Sequence, residues 1–293
     1  MKKLRKKFLA GIALGGMVNF SVMSFNPAIV KAADVIIGDN ENSSEYSADD
    51  WTNNAGSIVV YGGGGETSTN PVSNKAVRIN GGSFNGIFGG ISSLGNVSKN
   101  TVYFNGGNVS GGIVGGFTFY YDGLTAGDVF GNNVYMNGGT VGWLTGGEVG
   151  YASSVTDFSN LTGGNVYNNT VYMNDGTVTG GIIGGSALTG NALNNTVNIN
   201  GGTVSGSIIG GEVKNPTSDS QASGNTINIS GSPNLSGATL YGGLLSSSGY
   251  SDGNTLNIYT TGLSVNGIQT DSFDNFNFYV QNFSSCRKFF PLR

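Results

Sequence analysis

Histidine is absent from this 293-residue chain, and Cys286 is its only cysteine. No internal disulfide can form, and an ordinary zinc site, built from Cys and His, is excluded. Proline occurs five times and there is no Gly-X-Y period, so 52 glycines do not make a collagen. Charged residues are 10% of the chain, where about 25% is usual. With 2 Trp, 13 Tyr and 16 Phe, the composition is that of a folded, turn-rich chain and not of a disordered one.

Positive charge is scarce in the body. From residue 33 to 285 the basic residues are Lys75, Arg78, Lys99 and Lys214, while all 17 acidic residues fall there, a net charge of −13. Nucleic-acid binding needs the opposite sign, so no nucleic-acid partner is expected. A self-repelling acidic surface suits a soluble exported protein.

The two ends differ from the body. Lys2, Lys3, Arg5, Lys6 and Lys7 precede the mostly apolar stretch from Phe8 to Val22, and Val30-Lys31-Ala32 has small residues where signal cleavage occurs. Residues 1–32 read as a secretory signal peptide handled by the export machinery. Gly15, Gly16 and Asn19 break the apolar run, which is short of the roughly 20 residues a spanning anchor needs. Residues 33–56 are acidic and read as an N-terminal cap. A calcium site is the alternative there, but the calcium-loop spacing is missing. Residues 284–293 are an atypical tail, with Cys286, Arg287, Lys288 and Arg293 together, and read as the mark of a truncated or frameshifted product.

Between the ends the chain repeats. Paired apolar residues recur as Val77/Ile79, Val102/Phe104, Val134/Met136, Val171/Met173, Val197/Ile199, Ile227/Ile229, Leu256/Ile258 and Phe276/Phe278. Period-two alternation predicts a half-buried strand in each. Asn-Gly-Gly or Asn-Asp-Gly follows the first five pairs. A hairpin is the other reading of Asn-Gly, but too few residues follow for a strand of similar length to run back. Short strands joined by two glycine corners predict an all-β, single-stranded, right-handed parallel β-helix of about eight coils over residues 57–283.

Two further columns appear when the coils are aligned. Two residues before the first member of six of these pairs, the anchor of its coil, stand Asn100, Asn132, Asn169, Asn195, Asn225 and Asn254, with Asp274 in the last coil; the asparagines are expected to form a structural ladder of stacked amides. Between the paired inward residues stand Tyr103, Tyr135 and Tyr172, then Asn198, Asn228, Asn257 and Asn277. The tyrosines are candidate contacts for sugar rings or protein partners; self-stacking that stabilises the sheet is the structural alternative. The connections 91–99, 117–131, 148–168, 186–194, 212–224 and 244–253 leave from one corner. The two longest add Phe119, Tyr120, Tyr121, Tyr151 and Phe158 as candidate ligand contacts.

A signal followed by Asn-Thr-Val-x-Ile-Asn-Gly-Gly-Thr-Val coils, as at Asn195–Val204, resembles the passenger domain of bacterial autotransporter proteins, the type V secreted adhesins. The resemblance covers roughly residues 57–283. It implies a secreted or cell-surface adhesin that binds a glycan or a host or neighbouring-cell surface protein, without catalysis or cofactor and with no membrane span in the mature segment. The outer-membrane β-barrel that the family carries next is not seen before Arg293, which points to truncation before the barrel. The enzymatic alternative is a pectin-lyase-like polysaccharide-degrading β-helix: lyases of that kind resemble one another in using an Arg base and clustered Asp for calcium, and a hydrolase on the same fold would draw its two facing carboxylates from Asp122, Asp128, Glu148, Asp157 and Asp175. Arg78 is the only Arg of the body, and no Asp cluster recurs near it at coil spacing. A purely structural surface fibre is the third reading.

Overall fold

The computed structural model describes residues 59–64, 69–120, 125–151 and 164–279, and the backbone of two strands, Val35–Asp39 and Asn42–Tyr46. The expected signal peptide (1–32), the tail (284–293), Tyr121, Phe158, Asp122 and Asp157 lie outside the described residues, as does the side chain of Tyr151.

The chain is a parallel β-helix. All eight anchors pair in one parallel run, from Val77 through Val102, Val134, Val171, Val197, Ile227 and Leu256 to Phe276. This forms the first face. Its inward residues are fully covered from Val77 to Ile229, because the coils above and below close over each strand. The Asn-Gly-Gly corner follows, and Gly82, Gly107, Gly139, Gly176 and Gly202 there all have positive φ, as a tight corner requires. A second face then runs back across the coil. Among the described residues it starts at Val59–Tyr61, parallel to Ser83–Phe88.

Beyond this point the coil departs from a triangle with two glycine corners. Gly115-Gly116, Gly146-Gly147 and Gly184-Gly185 are not turns. The strands Asn108–Tyr120, Asn133–Tyr151 and Thr170–Ala187 run through them, and none of these glycines has positive φ. Room, not backbone freedom, explains them. A Cβ on Gly116, Gly147 or Gly185 would stand 2.5–2.7 Å from the amide of Asn132, Asn169 or Asn195. The glycine pairs are the bed on which the asparagine ladder lies.

The expected long connections shrink accordingly. Their first residues extend the second face, and their last form a third sheet of two-residue strands, Val72–Ser73, Val97–Ser98, Val129–Phe130, Val166–Tyr167, Ala192–Leu193 and Ala222–Ser223. Between this sheet and the extended strands lies a second core, including Val129, Val149, Val166, Ala187, Ala192 and Val213. The main core runs separately from Val60 to Phe273. The asparagine ladder and the glycine pairs meet at the waist between the two. Each third-sheet strand leads into a residue of positive φ immediately before the ladder or its equivalent, Asn74, Lys99, Gly131, Asn168, Asn194 and Gly224, and Gly253 stands likewise before Asn254.

At the N-terminal end, Val35–Asp39 pairs antiparallel with Lys75–Ile79 and with Asn42–Tyr46. A hairpin from the acidic leader therefore lies on the exposed edge of the first coil. No helix of the described residues is long and apolar enough to cross a membrane.

Candidate functional site

The buried ladder is built as its spacing suggested. Each Nδ2 donates to the Oδ1 of the next asparagine: Asn100 to Asn132 (3.0 Å), Asn132 to Asn169 (2.9 Å), then Asn169 to Asn195, Asn195 to Asn225 and Asn225 to Asn254 (3.1 Å each). The second N–H of each amide reaches a third-sheet carbonyl in the preceding coil, as Asn169 does to Val129 (3.0 Å). Each Oδ1 also accepts a backbone N–H, as Asn169 Oδ1 does from Asn132 (3.0 Å). Only an oxygen can accept that bond, so the orientation of every amide in the column is set. All six side chains are buried. With both hydrogens and the oxygen engaged, they have nothing left for a ligand.

The outward column of the first face is the surface of interest. Tyr103 and Tyr135 stack with centroids 5.1 Å apart and planes at 11°; Tyr135 and Tyr172 stack at 4.5 Å and 2°. In-register parallel strands impose this, since they set identical side chains about 4.8 Å apart. Arg78 begins the column, with its guanidinium 4.0 Å from the centre of the Tyr103 ring. This cation–π cap occupies the ring face that coil 2 would otherwise show. Asn198, Asn228, Asn257 and Asn277 complete the column as a second amide ladder, with Nδ2–Oδ1 distances of 2.7–2.9 Å. Arg78 was legible by the rule that selected the tyrosines, because it too sits between paired inward residues.

The stack changes what the tyrosines offer. Their faces cover one another, and all three side chains are half-buried. Ring edges and hydroxyl tips, not open ring faces, meet the solvent. Burial raises the Tyr135 hydroxyl above the usual phenol value, and the neighbouring Tyr172 and Tyr103 push it the same way. A column of corner amides flanks the strip, with Asn105, Asn137, Asn174 and Asn200 each donating to the coil before at 2.8 Å.

Phe119 and Tyr120 are not surface contacts. Both are buried, because the strand they end runs four residues past its glycine pair. Phe119 packs on Phe117 in a small apolar cluster with Phe88, Ile91 and Val114. Tyr120 points into the second core, where its hydroxyl meets Thr189 Oγ1 at 2.9 Å. Desolvation raises its pKa, against the lowering effect of that bond. A second stacked pair, Phe130 and Tyr167 (4.9 Å, 3°), stands on the outside of the third sheet. Both residues stand in the two longest connections, but their pairing was not legible because two-residue strands are too short to show a period.

The carboxylates are spread over the coil. Glu148 pairs with Lys214 at 2.8 Å, with little of either side chain exposed. One coil on from Ser186, Glu212 accepts its hydroxyl at 3.0 Å, and burial raises the Glu212 pKa in spite of Lys214. Asp128 accepts from Asn165 on the third sheet (2.8 Å), and Asp175 binds the Gly176 N–H at the Asn-Gly corner (2.7 Å). Among the described residues no group of three or more His, Cys, Asp or Glu side chains gathers. An open pocket of about 300 Å³ lies beside Tyr241, Leu244, Gln269 and Asp271, away from the tyrosine strip.

No protein-family model, curated protein or solved structure matches this chain.

Proposed function

We propose that this chain is an exported, non-catalytic β-solenoid segment of the adhesin-passenger kind. It presents the outer side of its first face to a glycan or protein on a host or neighbouring cell. The observation that carries the reading is the change of side chain along a single column. Four coils carry a uniform asparagine ladder there, and such a ladder is enough to hold the sheet. Coils 2–4 instead carry Tyr103, Tyr135 and Tyr172, capped by Arg78. Larger amphipathic side chains at the same positions add contact area, hydroxyls and one of the body's four positive charges. Because the ring faces are covered, recognition runs through edges, hydroxyls and the flanking amides.

The test uses the chain's own alternative. Changing all three tyrosines to asparagine extends the existing ladder and leaves the coil intact. The wild-type chain should bind at least one class of ligand on a glycan array or a panel of matrix proteins, and the triple variant should lose that binding. Binding equal in both proteins, or cleavage of a pectin-like polymer in place of binding, would overturn the proposal.

A further inference from the structure

The first face carries a second outward column, nearer the waist than the tyrosines. Thr101, Asn133, Thr170, Thr196, Thr226 and Thr255 stand in register on successive coils. They alternate with inward Val, Ile and Leu, so they point out. The hydroxyls of Thr101, Thr170, Thr196 and Thr226 make no hydrogen bond among the described residues. The one buried side-chain polar atom without a partner among those residues is Thr118 Oγ1, so these four hydroxyls are open to solvent. Both amide ladders spend their hydrogen bonds on the next coil; this column keeps its own for something outside.

The column is also the floor of a trough. The coil is drawn in at the waist, where the asparagine ladder points inward and a residue of positive φ precedes it. The outer surface is therefore concave between the third sheet and the first face. In the third and fourth anchored coils the trough has an aromatic wall on each side of Asn133 and Thr170. Phe130 and Tyr167 stand on the third-sheet side, with centroids 4.9 Å apart. Tyr135 and Tyr172 stand on the other, at 4.5 Å. Both pairs stack from coil to coil, so ring edges and hydroxyls border the floor.

We propose that this trough holds an uncharged, extended polysaccharide whose chain runs parallel to the solenoid axis, about one sugar to a coil. The inference rests on the first face being the binding side and names the ligand class for it. Charge and repeat select that class. From Thr101 to Asn277 every outward position of the first-face strands is Thr, Asn or Tyr, on a body of net charge −13. The cations on this side, Lys75, Arg78 and Lys99, are confined to the first two coils. A polyanion would meet a repelling body and no row of positive charge. The floor offers the same kind of group every 4.8 Å or so. Only a ligand that itself repeats along a line at a similar step keeps all of these groups engaged. An extended β-linked sugar chain advances by nearly that step and carries hydroxyls along both edges. A globular protein surface has no such repeat.

The probes are β-1,4-linked oligosaccharides of glucose, xylose and N-acetylglucosamine in graded lengths, with oligogalacturonates of the same lengths as the charged counterpart. Calorimetric titration of the full chain should show at least one neutral series binding, with Kd falling at each added sugar until the trough is filled. The charged series should bind more weakly. Thr170→Val combined with Thr196→Val removes two hydroxyls and keeps the β-branched shape that suits the strand; it should raise that Kd about tenfold. Thr203→Val, the same change on the second face, should leave it unaltered. Affinity that does not depend on length, a preference for the galacturonates, or an unchanged Kd in the double variant would overturn the proposal. If no neutral chain binds while a matrix protein does, and the triple tyrosine variant loses that protein, the polysaccharide falls and the binding face stands. If the wild-type chain binds nothing, both fall.

Discussion

Removing one rung of the buried ladder should cost far more than removing one rung of the corner ladder, although the residue and the substitution are the same. Asn169 makes four side-chain hydrogen bonds. Its Oδ1 accepts from the N–H and Nδ2 of Asn132, and its Nδ2 donates to Val129 O and Asn195 Oδ1. Asn169→Ala strands two donors of Asn132, a residue with no exposure. At about 1–3 kcal/mol for each buried unsatisfied group, the loss is roughly 2–6 kcal/mol. That is a large share of the about 5–15 kcal/mol by which a domain is stable. Asn174 also bonds to both neighbouring coils, to Asn137 and from Asn200 at 2.8 Å, but it is exposed. Water replaces those bonds, so Asn174→Ala should cost about 0.5 kcal/mol or less. Denaturant unfolding gives the totals. Hydrogen exchange locates the damage, which nearest-neighbour coupling should confine to the coils around Asn169. Equal costs for the two variants, or a cost below about 1 kcal/mol for Asn169→Ala, would refute the assignment of the ladder as a main source of stability.

Gly185→Ala should destabilise by about 1–3 kcal/mol in the same unfolding assay, because its Cβ would stand 2.5 Å from the hydrogen-bonded amide of Asn195. Gly267→Ala, whose nearest neighbour would be Thr239 at 3.6 Å, should be close to neutral and serves as the control. Glu212 should make the solenoid less stable as pH rises: burial lifts its folded pKa above the unfolded one, so the folded state holds its proton longer. Between those two values the native chain binds more protons than the unfolded chain, and stability falls with pH. Glu212→Gln should remove that slope in pH-dependent melts while keeping a partner for Ser186. In alkaline absorbance titration, Tyr135 should ionise above a free phenol, and Tyr103→Asn should bring it down by removing one of its two stacked neighbours.

Much of the fold was open to reading because a solenoid repeats its constraints. The alternation of Val171/Met173 and Val197/Ile199 named the inward pairs, and their steps along the chain are the register steps between coils. Asn169 and Asn195 were recognisable as a ladder from position alone, since parallel in-register strands bring equivalent positions together. Phe119 and Tyr120 were misplaced for a definite reason. Gly115-Gly116 resembles a turn, and a turn there would have sent the following aromatics into a surface loop. The strand continues because the glycines are needed for the space that Asn132 occupies, a residue of the next coil. Local sequence does not distinguish a glycine required for its φ from one required for its missing Cβ.

The sequence by itself determined the repeat, its register and the inward side of the first face, because each follows from side-chain alternation and one-dimensional recurrence. Only the tertiary structure decided the rest. It showed that the coil has two cores divided at an amide waist, and that the tyrosines lie face against face with Arg78 as their cap. It showed too that Phe276 and Phe278, at positions that are core in every earlier coil, are exposed in the last described coil. These outcomes depend on distances between separate turns of the chain and on which atoms cover which, and a linear pattern carries neither.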